Sequence, residues 1–159
     1  MANLDEILNW RQRDEHISLS GQPTETQLAD LADNGVTHII NLGPHTNTGA
    51  LPDEAGSVSK LGMTYIYIPV DFENPTEADF AQFSEALASL EGQRIHVHCI
   101  YNARVTAFFY RHATEQNGET ASEAFETMDG IWRPGGVWAT FIGKADDAGK
   151  ANRYEGYDY

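Results

Sequence analysis

Residues 94–112 read RIHVHCIYNARVTAFFYRH, and this stretch decides the fold. In its first six residues, 94–99, two histidines alternate with Ile95, Val97 and Cys99, and this alternation predicts a strand. A short loop follows, and a helix is predicted over about 104–116. One face of this helix carries four large side chains at helical spacing: Val105, Phe108, Phe109 and His112. A strand that leads directly into a helix is typical of α/β domains, and it places Cys99 at the carboxyl end of the strand.

Strand and helix patterns alternate along the rest of the chain. Further strands are predicted at 16–20, 37–42 and 64–70. Helices are predicted in the segments around them: 5–10, 24–34, 52–61, 76–90, 119–128 and 136–144. We therefore predict one α/β domain with a mostly parallel sheet of four or five strands and helices on both faces. This domain is assigned to residues 1–144, and residues 145–159 are predicted to form a loose tail because they lack an apolar pattern.

The charge of the chain limits its partners. Ten Lys and Arg residues stand against 24 Asp and Glu residues, which gives a formal net charge of −14. Such a surface repels phosphate backbones, so we expect no nucleic-acid partner and no docking on an anionic membrane. The single cysteine, Cys99, permits no internal disulfide and no zinc site built on paired cysteines. No metal is expected at His96 and His98 either, since no further ligand stands at a suitable spacing.

The start of the chain, MANLDEILNW, has no basic segment followed by an apolar run. No later segment approaches the roughly 18 apolar residues that span a membrane. A cytoplasmic protein is expected, although an export signal removed before residue 1 would leave no trace in this sequence.

Cys99 is the strongest candidate for chemistry. In open α/β sheets, ligands bind beyond the carboxyl ends of the strands, where the next helix points its N-terminus. The helix dipole and the nearby Arg104 favour the thiolate of a cysteine at that place, which makes it a nucleophile. The alternative is a buried cysteine that packs as a small apolar side chain.

The order strand, His-Cys, short loop, Arg and hydroxyl residue resembles the active-site signature of the protein tyrosine phosphatase superfamily. Over residues 16–117 the order of elements is similar to that of dual-specificity phosphatases. SGQP at 20–23 and HCIYNARVTAF at 98–108 resemble two motifs of a bacterial phosphatase-like family that is also found joined to beta-lactamase-like hydrolases.

This resemblance implies the three-layer phosphatase fold and hydrolysis of a phosphomonoester through a cysteinyl-phosphate intermediate, without a cofactor. Cys99 would be the nucleophile, Thr106 would steady the thiolate or assist its departure, and His98 would fix the loop by hydrogen bonding. Arg104 and the main-chain amides of the loop would hold the phosphate: Ile100, Tyr101, Asn102, Ala103, Arg104 and Val105. Asn102, which tolerates a left-handed backbone, is the candidate for the tight turn or for direct ligand contact.

A phosphatase also needs a proton donor for the leaving oxygen. Asp71 directly follows the strand 64–70, near the place of the general acid in dual-specificity enzymes, and Glu73 is the reserve candidate. The alternative is that both are solvated loop carboxylates in a chain with 24 acidic residues.

The position of the arginine departs from the main phosphatase pattern. Arg104 follows Cys99 by five residues instead of six, Val105 occupies the usual Arg position, and Thr106 keeps the hydroxyl register. One residue near a helix start is about 100° of rotation, so Arg104 either points away from a phosphate or needs a reshaped loop. The shorter spacing also resembles rhodanese-type sulfurtransferases, and a phospho-ligand binding module without turnover is a further alternative.

The expected substrate is a phosphorylated small molecule or a phosphoprotein, whose identity stays open along with the oligomeric state. The pocket walls are predicted in the loops at 45–48 and 72–74. The Trp132–Trp138 segment is predicted to plug the core, and Arg133 could reach the site.

Overall fold

A computed structural model describes residues 3–154 and, for the backbone alone, residues 157–158. A five-stranded sheet forms the centre, built from β1 (Arg11–Gln12), β2 (Ile17–Ser20), β3 (His38–Asn41), β4 (Thr64–Tyr67) and β5 (Ile95–His98). Its order is β1-β2-β5-β3-β4, with β1 antiparallel to β2 and the other neighbours parallel. The predicted fold class, a mostly parallel sheet covered by helices, is confirmed. The strand that carries the Cys99 loop lies in the middle of this sheet.

Within residues 3–154, six helices surround the sheet: α1 (Glu25–Asp33), α2 (Glu54–Lys60), α3 (Glu77–Ser89), α4 (Ala103–Gln116), α5 (Ala121–Phe125) and α6 (Gly136–Phe141). Capping boxes at Thr24 and Thr76 begin α1 and α3, as the sequence predicts. The neighbouring residues Ile39 and Ile40 of β3 belong to different apolar clusters. Because side chains alternate along a strand, this separation shows that both faces of the sheet are covered.

The N-terminal segment differs from the prediction of a helix over 5–10. Only a 3₁₀ turn, Leu4–Glu6, forms there, and Asn9 adopts a positive φ of 52° that no α-helix contains. The Asn9 side chain instead donates to the carbonyl of Tyr101 at 2.8 Å. The segment is therefore used to hold the loop after β5.

The prediction of a loose tail is wrong for residues 145–154. A 3₁₀ turn covers Ala145–Asp147, and β7 (Arg153–Tyr154) pairs with β6 (Trp132–Arg133), while the backbone at 157–158 forms β8. A two-residue strand is too short to produce an alternating pattern, so no periodicity predicts it. The tail residues 155, 156 and 159 lie outside the described residues, and the division at residue 144 stays a prediction. No helix among the residues that the structure describes is long and apolar enough to cross a membrane.

Candidate active site

The Cys99 loop, residues 99–102, joins the carboxyl end of β5 to the start of α4. Asn102 precedes the helix with φ 76° and ψ 13°, which is the left-handed conformation predicted for the tight turn. Its backbone N–H donates to Sγ of Cys99 at 3.2 Å. The thiol therefore lies at the N-terminus of a 14-residue helix, whose dipole favours negative charge there.

The carbonyls of the Cys99 loop are held on its outer side. Ile100 O accepts from the backbone N–H of Gln22 at 3.0 Å, and Tyr101 O accepts from the Asn9 amide. In a trans peptide the C=O and N–H groups point in opposite directions, so these bonds turn the following N–H groups inward. The Asn102 N–H, which reaches Sγ, shows this arrangement directly.

The first turn of α4 adds further hydrogen-bond donors to the loop. Within the described ranges, the backbone N–H groups of Ala103, Arg104 and Val105 have no hydrogen-bond partner. The first N–H groups of a helix lack intrahelical acceptors and commonly bind anions. The loop and the helix start can therefore serve as an anion cradle.

The SGQP segment lies directly behind this cradle. Ser20 O accepts the Cys99 N–H at 3.4 Å. A Cβ atom at Gly21 would lie 2.6 Å from Ile100 O, so a side chain at this position would collide with the loop backbone. The segment thus supports the Cys99 loop from outside, a role that spacing alone did not predict.

His98 and Glu54 form a buried pair below the loop. The Nδ1 atom of His98 lies 2.9 Å from Cys99 O, and since a carbonyl only accepts, Nδ1 carries a hydrogen. The Nε2 atom lies 2.5 Å from Glu54 Oε2, and Gln22 donates to the other carboxylate oxygen at 2.7 Å. His98 therefore fixes the carbonyl of Cys99, consistent with the prediction that it holds the loop.

Burial on its own raises the pKa of Glu54, but the hydrogen bond and charge of His98, with the bond from Gln22, leave this pKa below its ordinary value. An ionised Glu54 accepts a hydrogen from Nε2, so His98 carries hydrogens on both ring nitrogens. Glu54 is not among the residues that the sequence predicts for the site. The available signal was its place at the start of the helix after β3, which a parallel sheet brings to the edge where Cys99 lies.

Arg104 lies at the same edge of the sheet, despite its shifted register. It is 6% exposed, its Nη2 lies 3.4 Å from Asn47 Oδ1, and its guanidinium carbon lies 5.2 Å from the ring centre of Phe72. Asn47 and Phe72 belong to the two loops predicted as pocket walls. Its Nε is buried without a hydrogen-bond partner in the part of the chain that the structure describes. Arg104 thus keeps donor capacity for a ligand.

Thr106 has partners other than the thiol. Its hydroxyl lies 2.8 Å from Asn102 O and 3.1 Å from Ala103 O, and it accepts the indole N–H of Trp132 at 3.0 Å. A hydroxyl has one hydrogen, and here backbone carbonyls take it. Thr106 therefore ties the start of α4 to Trp132, while its action on the thiolate stays a prediction.

The candidate acids lie in an exposed turn after β4. Asp71 Oδ1 accepts the Glu73 N–H at 2.9 Å, and Asp71 O accepts the Asn74 N–H at 3.0 Å. Phe72 of the same turn contacts Arg104, so the turn borders the cradle. The role of Asp71, or of Glu73, as proton donor stays a prediction.

His96 belongs to a separate buried cluster in the centre of the sheet. Ser20 donates to Gly21 O and therefore accepts from His96 Nε2 at 2.7 Å, which leaves Nδ1 to accept from Ser18. Burial, followed by the charge of His98, holds the pKa of His96 well below its ordinary value. Among the described residues no group of three or more His, Cys, Asp or Glu side chains could hold a metal ion.

No protein-family model matches the chain. Two crystal structures of a candidate phosphatase (DUF442) from Shewanella putrefaciens CN-32 superpose on it with TM-scores of 0.72 and 0.76, at 32% and 31% identity. The first match covers 81% of this chain and 85% of that chain. The core catalytic domain of a PP-IP phosphatase from S. cerevisiae matches with a TM-score of 0.64 at 15% identity, over 87% of this chain and 79% of that chain, which shows a shared fold.

Curated relatives match a shorter part of the chain. A protein named beta-lactamase hydrolase-like protein from Xylella fastidiosa is 32% identical over 98 residues, and one from Agrobacterium fabrum is 30% identical. Each match covers 60% of this chain and 22% of the relative, so the chain spans about a fifth of these proteins. The predicted resemblance is confirmed, and the identity to the Shewanella protein over most of both chains shows that this chain belongs to the DUF442 family, which has the fold of tyrosine and dual-specificity phosphatases.

Proposed function

We propose that the chain is a cysteine-dependent phosphatase that hydrolyses a phosphomonoester, carried by a small molecule or by a protein. The proposal rests above all on the geometry at Sγ, where the Asn102 N–H points at the sulfur from the start of a helix. The next three N–H groups of this helix have no hydrogen-bond partner among the residues that the structure describes. Preorganised donors of this kind stabilise charge that develops on a bound anion. The predicted cytoplasmic location, and the expectation of no nucleic-acid or membrane partner, belong to the same proposal.

The chemistry divides into two displacements at phosphorus. The Cys99 thiolate forms an S–P bond while the ester P–O bond breaks, and the leaving oxygen takes a proton from Asp71, with Glu73 as the alternative donor. The resulting carboxylate then accepts a proton from water, which attacks phosphorus and releases inorganic phosphate and the thiolate. Arg104 and the loop amides hold the phosphoryl oxygens throughout.

Access to the thiol is part of this mechanism. Cys99 is 0% exposed. A phosphoryl group therefore reaches Sγ only when side chains at the mouth of the cradle move aside. Arg104, in the first turn of α4, contacts Asn47 and Phe72 of the two neighbouring loops.

A second candidate is sulfur transfer, which is favoured by the hydrogen bonding of Asp71. Asp71 already accepts a hydrogen bond within its own turn, and transfer of a sulfane sulfur needs no proton donor. The thiolate would attack the outer sulfur of thiosulfate, the S–S bond would break, and sulfite would leave with the electron pair. The arginine five residues after Cys99 fits this alternative as well.

The test compares wild type, Cys99→Ser and Arg104→Ala with para-nitrophenyl phosphate, orthovanadate and thiosulfate plus cyanide. We expect Cys99→Ser to lower phosphate release at least about a thousandfold. Arg104→Ala is expected to weaken orthovanadate binding by about 2 kcal/mol or more. Phosphate release by Cys99→Ser at the wild-type rate would refute the proposal. Thiocyanate formation without phosphate release would establish the second candidate, and vanadate binding without either activity would indicate a binding module.

A further inference from the structure

Two tryptophans of the 132–138 segment connect it to the candidate site. Trp132 is 2% exposed and Trp138 is 0% exposed, and their ring centres lie 5.8 Å apart. A buried indole N–H normally finds an acceptor. Trp132 uses Thr106, at the start of α4, whereas Trp138 donates to the carbonyl of Phe72 at 2.8 Å.

The bond from Trp138 anchors the turn that follows β4. Phe72 and Trp138 are 66 residues apart in sequence, and their rings also pack with centres 5.4 Å apart. The other hydrogen bonds of the turn are local, because Asp71 accepts them from the N–H groups of Glu73 and Asn74. The Phe72 ring also packs against Trp132 at 5.9 Å, but the hydrogen bond from Trp138 is the one that holds the Phe72 backbone in place.

Phe72 in turn contacts the guanidinium of Arg104. The second contact of this guanidinium is the 3.4 Å approach of Nη2 to Asn47, and its Nε has no partner in the described residues. An arginine side chain has several rotatable bonds and loses much rotamer freedom when it is fixed. Because the bond to Asn47 is long, the position of the guanidinium depends on the ring of Phe72.

We infer that Trp138 is a positioning residue that holds Arg104 ready for an anion, through Phe72. This inference rests on the proposed function, because Arg104 is the group that it places. Trp138 acts on Phe72 directly through one hydrogen bond and one ring contact. The segment predicted as a core plug thereby acquires a role in the site.

The test uses Trp138→Phe, which removes the indole N–H and keeps an aromatic ring, and Phe72→Leu, which removes the ring over the guanidinium. Each variant is expected to weaken orthovanadate binding about fivefold. The double variant is expected to weaken it by no more than the larger single effect, because both changes act through one contact. For para-nitrophenyl phosphate we expect KM to rise more than kcat falls.

Phe83→Leu is the matched control, since Phe83 is 0% exposed and packs against Phe108 and Phe109, away from the loops. It should lower the unfolding temperature and leave vanadate binding unchanged. Wild-type vanadate affinity in Trp138→Phe would overturn the inference. A second measurement is the NMR signal of the Arg104 Nε–H, identified by its loss in Arg104→Lys.

This signal separates the inference from the proposed function. If the wild type binds no vanadate, the proposed function fails, and the signal alone decides the role of Trp138. A shift in Trp138→Phe and in Phe72→Leu, but not in Phe83→Leu, supports the inference. An unshifted signal in Trp138→Phe overturns it.

Discussion

Replacing Glu54 by alanine should destabilise the domain by about 3 kcal/mol, the lower end of the range for breaking a buried ion pair. Glu54 is 2% exposed and His98 is 0% exposed. Water therefore reaches the site poorly and cannot fully replace the carboxylate as a hydrogen-bond partner. The substitution removes the 2.5 Å contact to His98 and the 2.7 Å bond from Gln22.

Glu54→Gln is the matched variant. The new amide keeps the size of the carboxyl group, and its oxygen can still accept a hydrogen bond from Gln22. The His98 Nδ1–H still holds the carbonyl of Cys99. We expect a loss of only about 1 kcal/mol, the net value of an ordinary hydrogen bond.

The assay is urea unfolding of the three proteins between pH 7 and pH 3. The pKa of Glu54 is lower in the folded chain than its ordinary value of 4.5, so the unfolded chain takes up the proton first as the pH falls. The stability that this carboxylate contributes is therefore complete above pH 4.5 and declines below it. The difference between wild type and either variant should shrink in that range.

Two results would contradict this account of the pair. One is a free energy of unfolding for Glu54→Ala within about 1 kcal/mol of wild type at pH 7, because a buried pair that is broken costs more. The other is a difference between wild type and Glu54→Ala that stays constant from pH 7 to pH 3.

Three further changes test the loop and the sheet. Gly21→Ala places a Cβ 2.6 Å from Ile100 O and should lower the free energy of unfolding in urea by about 2 kcal/mol. An unchanged free energy would contradict this, because it would mean that the loop backbone shifts without cost. Asn102→Ala should lower the thermal midpoint more than Asn102→Gly, because only glycine avoids the roughly 1–2 kcal/mol cost of a left-handed backbone, and equal midpoints would contradict this. The pKa of His96 lies well below its ordinary value of 6.5, so below pH 6.5 wild type should lose about 1.4 kcal/mol per pH unit relative to His96→Gln, whereas a constant difference would mean that His96 is charged.

The parts of the fold that sequence analysis predicted have local causes. The turn at Asn102 follows from a residue type that tolerates a left-handed backbone, and the capping boxes at Thr24 and Thr76 each lie within four residues. The apolar residues of 37–42, and the alternation of apolar residues with histidine in 94–99, predicted β3 and β5. The place of Cys99 followed from these local features alone.

The missed parts depend on contacts between distant residues. His98 and Glu54 are 44 residues apart, and Trp138 and Phe72 are 66 apart. No spacing in the sequence marks such a pair, because the sheet topology brings its members together. Polar residues such as Glu54 and Gln22 also look like surface residues until their burial is known. The sequence therefore predicted the loop and its neighbour His98, and not the distant groups that support them.

Because Cys99 is completely buried, the reactivity of its thiol reports transient local opening of the structure. Because Sγ has no exposed surface, a disulfide reagent such as Ellman's reagent reacts only during transient openings of the loop. At low reagent concentration the labelling rate measures the population of the open state, and at high concentration it reaches a plateau set by the opening rate. With a single cysteine in the chain, one label on the intact protein reads both quantities without interference from a second site.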